Sequence, residues 1–143
     1  MAKIEGLDGV LKELRKLEGK QAKKLVRHSL RAGAKPLRNE MKRNAKTFDD
    51  PETGQAIYKQ IATRTIPKRT LKRYGFEAGV STGVKESGKD EPYHYAQYLE
   101  RGTSKMAAQP FIRPAIDTTK DIVFTAVSKD LWSGIKNTIT KSK

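Results

Sequence analysis

Residues 20–46 carry a helix that cannot stand alone. Ala22, Leu25, Val26, Leu30, Gly33, Leu37, Met41 and Ala45 follow one face at the spacing of a 3.6-residue period. The opposite face carries Lys20, Lys23, Lys24, Arg27, Arg31, Lys35, Arg38, Lys42, Arg43 and Lys46, against one acid, Glu40. Tertiary packing of the apolar face supplies most of the stability of such a helix. Ala22, Gly33, Ala34 and Ala45 are small enough to let another element approach closely. Pro36 lacks an N–H and crowds the preceding turn, which predicts a kink or a split near Lys35.

Elsewhere the periodicity changes. Leu7, Val10, Leu11, Leu14 and Leu17 give a narrow helical stripe, predicting a helix over 7–18 with Asp8 as N-cap and Gly19 as stop. Residues 47–54 read as a loop, with a helical turn at 55–59. Two stretches, 58–66 and 76–84, alternate as strands and predict an antiparallel hairpin. Its connection, 67–75, is turn-rich and holds Lys68, Arg69, Lys72 and Arg73 with no acid among them. After a loop at 85–92, the aromatic run 93–101 predicts a short helix with Tyr95, Tyr98 and Leu99 on one side, stopped by Gly102. A last helix starts at Pro114, with Ile116, Ile122, Val123, Ala126, Val127, Leu131 and Ile135 along one stripe and Trp132 at its edge. Residues 136–143 are expected to fray. The expected fold is α+β: N-terminal helices and a long C-terminal helix packed on a small antiparallel sheet, in one domain spanning 1–143.

Chemistry is mostly excluded. The 143 residues include no cysteine, so disulfides and thiolate metal sites cannot form. The two histidines, His28 and His94, are far apart in sequence and read as ordinary side chains. Gly79-Val80-Ser81-Thr82-Gly83 matches G-x-S-x-G literally, but strand patterning on both sides is wrong for a nucleophile elbow. Asp49, Asp50 and Glu52 offer oxygen ligands but read better as a solvated turn. No phosphate-binding loop, dinucleotide fingerprint or H-E-x-x-H is present. The expectation is no enzyme, no cofactor and no metal. No run of apolar residues is long enough to span a membrane, and the N-terminus lacks an apolar signal region, pointing to assembly in a cytoplasm.

Charge points to partners. Thirty Lys and Arg against 16 Asp and Glu give +14, which favours polyanions or acidic protein surfaces. Arg27, Arg31, Lys35 and Arg38 on the helix, with Lys68, Arg69, Lys72 and Arg73 in the hairpin connection, are the candidate polyanion contacts. A solvated basic face accounts for the same residues.

The segment 98–117, YLERGTSKMAAQPFIRPAID, is the most idiosyncratic. Residues before prolines avoid the helical region, so Gln109 and Arg113 are expected to be extended. Phe111 or Ile112 must plug the core. Gly102, Pro110, Phe111 and Pro114 are thus the shape-setting residues. The pattern Tyr95-Ala96, Glu100, Gly102-Thr103-Ser104-Lys105-Met106, Ala108 and Pro110-Phe111-Ile112-Arg113-Pro114-Ala115 resembles that of the HK-type tail-completion, or neck, proteins of long-tailed bacteriophages. Arg101 stands where that family commonly has an aromatic, and Ala107 where it has proline.

The resemblance implies a non-enzymatic virion protein of the head–tail junction. It would form a ring homo-oligomer in the virion, a monomer in isolation being the alternative away from it, and meet tail-terminator, tail-tube or head-connector proteins. It makes Glu100, Arg101, Thr103, Ser104, Lys105 and Arg113 candidates for contacts with partners. DNA passing through such a neck would meet the basic residues without sequence being read. The competing interpretation is a free-standing nucleic-acid-binding protein of the host; a toxin or nuclease lacks a convincing catalytic set.

Overall fold

The computed structural model describes residues 12, 15, 19–48, 57–76, 78–84 and 92–141, with the backbone alone for 92–95. The helix expected at 7–18 lies largely outside the described residues, although Lys12 and Arg15 are helical. The basic run forms one helix, α1 (Gly19–Lys46). Pro36 sits inside it without splitting it. Packing on both sides of the proline holds it together: Ser29, Gly33 and Ala34 are buried before it, Met41 and Ala45 after it.

The neighbour that α1 needs is the last helix. Labelling the shorter elements in chain order makes that helix α5 (Ile112–Lys141). It runs antiparallel along α1, with Leu25 beside Gly134, Ser29 bonded to Asp130, Gly33 beside Val123 and Val127, and Asn44 bonded to Phe111. A Cβ on Gly33 would lie 2.1 Å from Val127 Cγ2, and one on Gly134 2.2 Å from Leu25 Cδ1. Each helix therefore offers a glycine to a branched side chain of the other. The sequence-based expectation that the last helix docks on the sheet is corrected here: it packs mainly on α1. Ser29, fully buried, donates its hydroxyl to Asp130 Oδ2 at 2.8 Å, so the buried oxygen is satisfied.

Between the two long helices lie α2 (Ile57–Gln60), β1 (Ile61–Thr65), α3 (Lys68–Arg73), β2 (Val80–Val84) and α4 (Pro92–Arg101). The strands pair antiparallel from Ile61 opposite Val84 to Thr65 opposite Val80. Both strands are shorter than expected. The first begins at Ile61, because a helical turn brings Ile57 and Ile61 into the core together. The second begins at Val80, because Phe76 N–H donates to Leu71 O at 2.9 Å and closes the α3 turn instead. The connection itself is a helical turn anchored by buried Leu71. Ser81 of the G-x-S-x-G match sits within β2, opposite Arg64.

The core joins Met41 and Ala45 of α1, Ile57 of α2, Ile61 of β1, Ala96 and Leu99 of α4, then Phe111 and, from α5, Ala115. Phe111 is the plug at 0% exposure, while Ile112 is partly buried against the same cluster. Tyr98 points outward, contrary to expectation, because Ala96 and Leu99 take the inward side of α4. Ile116 and Ile122 also face outward. Beyond residue 135, where fraying was expected, α5 stays helical to Lys141. Ile135 is buried, and Thr138 Oγ1 donates to Gly134 O at 2.8 Å. Trp132 lies at the stripe's edge, its ring 5.1 Å from Lys136 Nζ.

Candidate functional site

Helix α5 begins without a local capping residue: Phe111 occupies the cap position ahead of Ile112. Glu100 supplies the cap from the last turn of α4. Its Oε2 accepts the N–H groups of Phe111 and Ile112 at 2.8 and 2.9 Å, and its Oε1 accepts that of Arg113 at 3.0 Å. A helix start leaves four backbone donors unpaired. Here three go to one carboxylate, and the fourth position is Pro114, which has no N–H. The negative charge also lies at the positive end of the helix dipole.

This geometry corrects two sequence-based expectations. Arg113 is helical, not extended, because the carboxylate organises the first turn around it. Glu100, expected to face a partner, is turned inward, with its side chain 11% exposed. The Arg113 guanidinium lies outside, 3.9 Å from the same carboxylate.

The loop leading to that cap is held as firmly. Gly102 takes φ +74°, and a Cβ there would lie 2.8 Å from Ala108 N. Gly102 N–H donates to Tyr98 O, and Gln109 N–H to Leu99 O, both at 2.7 Å. Thr103 and Met106 form a small antiparallel bridge. The Thr103 hydroxyl accepts the N–H groups of Lys105 and Met106 at 3.3 and 3.1 Å. This leaves Arg101, Ser104 and Lys105 exposed at the rim, with Thr103 also exposed but engaged in the turn. Pro110 and Pro114 are exposed while fixing the path.

The basic candidates divide in two groups that the fold brings close. Arg27, Arg31, Lys35 and Arg38 recur at four, four and three residues, one stripe of α1. Arg31 donates to Thr65 Oγ1 at 3.0 Å, which puts the stripe beside the end of β1, just before α3. Arg27 and Arg38 are half-buried, their Nε atoms enclosed and without a hydrogen bond. Lys35 is exposed, as are Lys68, Arg69, Lys72 and Arg73 on α3. The sequence reading missed the exposed rings beside that cluster, Tyr74 at 67% and Phe76 at 66%. Their position next to a basic run was a readable signal. The loop candidates are separate, packed against the Asn44 end of α1.

Among the described residues no group of His, Asp and Glu side chains could hold a metal ion. The Asp49, Asp50 and Glu52 cluster, like His94, lies outside the described side chains. Nor is any described helix long and apolar enough to cross a membrane.

The family model described as "Bacteriophage HK97-gp10, putative tail-component" matches residues 8–102. That is well over half of the chain. The protein belongs to the HK97-gp10-like family. Membership marks it as a tail-related structural component of a bacteriophage, found in the virion among other virion proteins. The match ends at Gly102, so it includes Glu100 and the α4 stop but not the Pro110–Pro114 approach to α5. Comparison with curated proteins and with solved structures finds no match.

Proposed function

We propose that this chain is a non-enzymatic protein of the head–tail junction, acting in tail completion as one ring component of the neck. Family membership across residues 8–102 is the observation that carries this proposal. Its neighbours are then the tail-terminator, tail-tube or head-connector proteins, and a ring requires a head-to-tail interface whose rotation closes. The exposed rim of the loop, Arg101, Thr103, Ser104 and Lys105 with Arg113, is the proposed contact with those neighbours.

The decisive experiment is removal of the gene from its phage, followed by electron microscopy of the lysate. Separate filled heads and tails, rejoined when the protein is added back, are expected. Complete infectious particles without the protein would refute the assignment.

A second role, contact with the passing genome, is supported by the α1 stripe of Arg27, Arg31, Lys35 and Arg38. Contacts of this kind neutralise phosphates and release counterions, so they weaken steeply with salt. The purified protein should bind duplex DNA at low ionic strength and lose it on modest salt addition. Absence of binding at low salt would dismiss the genome contact and leave the junction role to stand on the deletion result.

A further inference from the structure

The fold presents two complementary surfaces. One is the α3 tip: Tyr74 and Phe76 exposed, with Lys68, Arg69, Lys72 and Arg73 around them. None of these four cations has a hydrogen bond or ion pair among the described residues. The tip is also preshaped. Leu71 anchors it in the fold, and Phe76 N–H is tied to Leu71 O. Exposed rings and arginines on a rigid support are the residue types that anchor protein interfaces, and preorganisation lowers the cost of association.

The other surface is an apolar cleft between α1 and α5, about 430 Å³ in volume. It is lined by Leu30 and Leu37 from one helix and by Ile116, Thr119, Val123, Phe124 and Val127 from the other, with the Lys120 stem also on its wall. Phe124 and Ile116 are each 44% exposed. Its flank supplies the missing charge. Of the described carboxylates, Glu40 pairs with Arg43, Glu100 caps α5, and Asp130 takes His28 and Ser29. Asp117 and Asp121 carry no such partner. They lie one turn apart on α5, on either side of Lys120, beside Ile116 and Phe124.

We infer that the α3 tip of one copy of this chain docks in the α1–α5 cleft of a second copy. Tyr74 and Phe76 enter the cleft, and the tip cations face Asp117 and Asp121. The two patches are different surfaces of one chain, so the contact is heterologous and propagates head to tail, closing into a ring or running on as an open array. The inference rests on the proposed junction role and names the surfaces that join its subunits. Apolar rings filling an apolar cleft supply the attraction, and the charges set register and exclude other pairings.

The absence of cysteine makes a clean test available. Phage carrying Lys72→Cys together with Lys120→Cys keep all the apolar anchors. Particles purified from them and treated with a short thiol-specific cross-linker should give a ladder of multimers of this chain. Each single variant should give no ladder. Adding Asp117→Lys and Asp121→Lys should reduce the ladder on the order of tenfold, through like-charge repulsion. Adding Lys68→Glu and Arg69→Glu to that background should restore it.

Particles that contain the protein but show no ladder above that of an exposed control, Lys72→Cys with Ser133→Cys, would overturn the inference alone. So would a Lys72→Cys thiol that reacts only after nuclease empties the particle, since DNA would then occupy the tip. Absence of the protein from purified particles would instead defeat the junction role.

Discussion

Replacing Glu100 separates a folding role from a contact role. The Glu100→Ala variant leaves three backbone donors at the start of α5 without their acceptor. Each hydrogen bond to a charged group is worth about 1.5–3 kcal/mol where water cannot substitute, and caps alone cost about 0.5–2 kcal/mol. The site lies near the surface, so water recovers part of the loss. A net destabilisation of about 3–4 kcal/mol results, from the lower end of the per-bond range. Glu100→Gln is graded differently. Its single carbonyl oxygen can keep the Phe111 and Ile112 bonds made by Oε2. Its amide then points N–H at the Arg113 N–H, and the charge at the dipole is gone. The expected cost is about 1.5–2 kcal/mol, one charged hydrogen bond plus a fraction of the dipole interaction. For a chain of this length about 3 °C of melting temperature is lost per kcal/mol. The Ala variant should therefore melt about 10 °C lower and the Gln variant about 5 °C lower. Urea unfolding followed by circular dichroism and by Trp132 fluorescence measures both. An Ala variant within about 0.5 kcal/mol of the parent, the range of an ordinary surface change, would refute the capping role.

Further consequences follow from close packing. Gly33→Ala should destabilise by about 1–3 kcal/mol despite the better helix propensity of alanine, because its Cβ overlaps Val127. Adding Val127→Ala should recover part of that loss in the same urea titration; a stabilising Gly33→Ala would contradict the close approach. Gly102→Ala forces a side chain into φ +74° against Ala108 backbone, and should cost about 1–3 kcal/mol by thermal melting. Phe111→Ala empties the fully buried core plug, for about 3–5 kcal/mol. A loss under about 1 kcal/mol would mean that the site collapses or that Phe111 is not central. Arg31→Ala removes one basic contact and its bond to Thr65, and should lower the salt slope of DNA binding by about one phosphate with little sequence dependence.

Much of this architecture was legible. The α1 pattern, the helix ending at Gly102, the helix started near Pro114 and the antiparallel pairing all follow from local rules of period, cap and turn. What local rules could not reach were the partners of each element. The last helix carries apolar residues nearly all round, so its stripe did not say which side would meet α1; Ile116 and Ile122 look like core and are outside. Gly33 announces a close approach, but not that the approaching element is α5, whose own Gly134 meets Leu25 of α1 in return. The hairpin connection read as a turn-rich link because its charges are conspicuous, and Leu71, the buried residue that anchors it as a helical turn, is not.

Glu100 shows the division most plainly. The sequence by itself determined that a helix begins near Pro114 and that no Ser, Thr, Asp or Asn stands at residues 110–113 to cap it. A missing local cap is a readable demand for an acceptor from elsewhere. Which acceptor answers was decided only by the tertiary structure. The turn at Gly102 and the bridge from Thr103 to Met106 reverse the chain, so that a carboxylate 11 residues upstream of Phe111 reaches three N–H groups at once. Helical and strand periods are properties of neighbours in sequence. A hydrogen bond across a reversed loop depends on the whole path between its ends, and so does the meeting of two apolar faces.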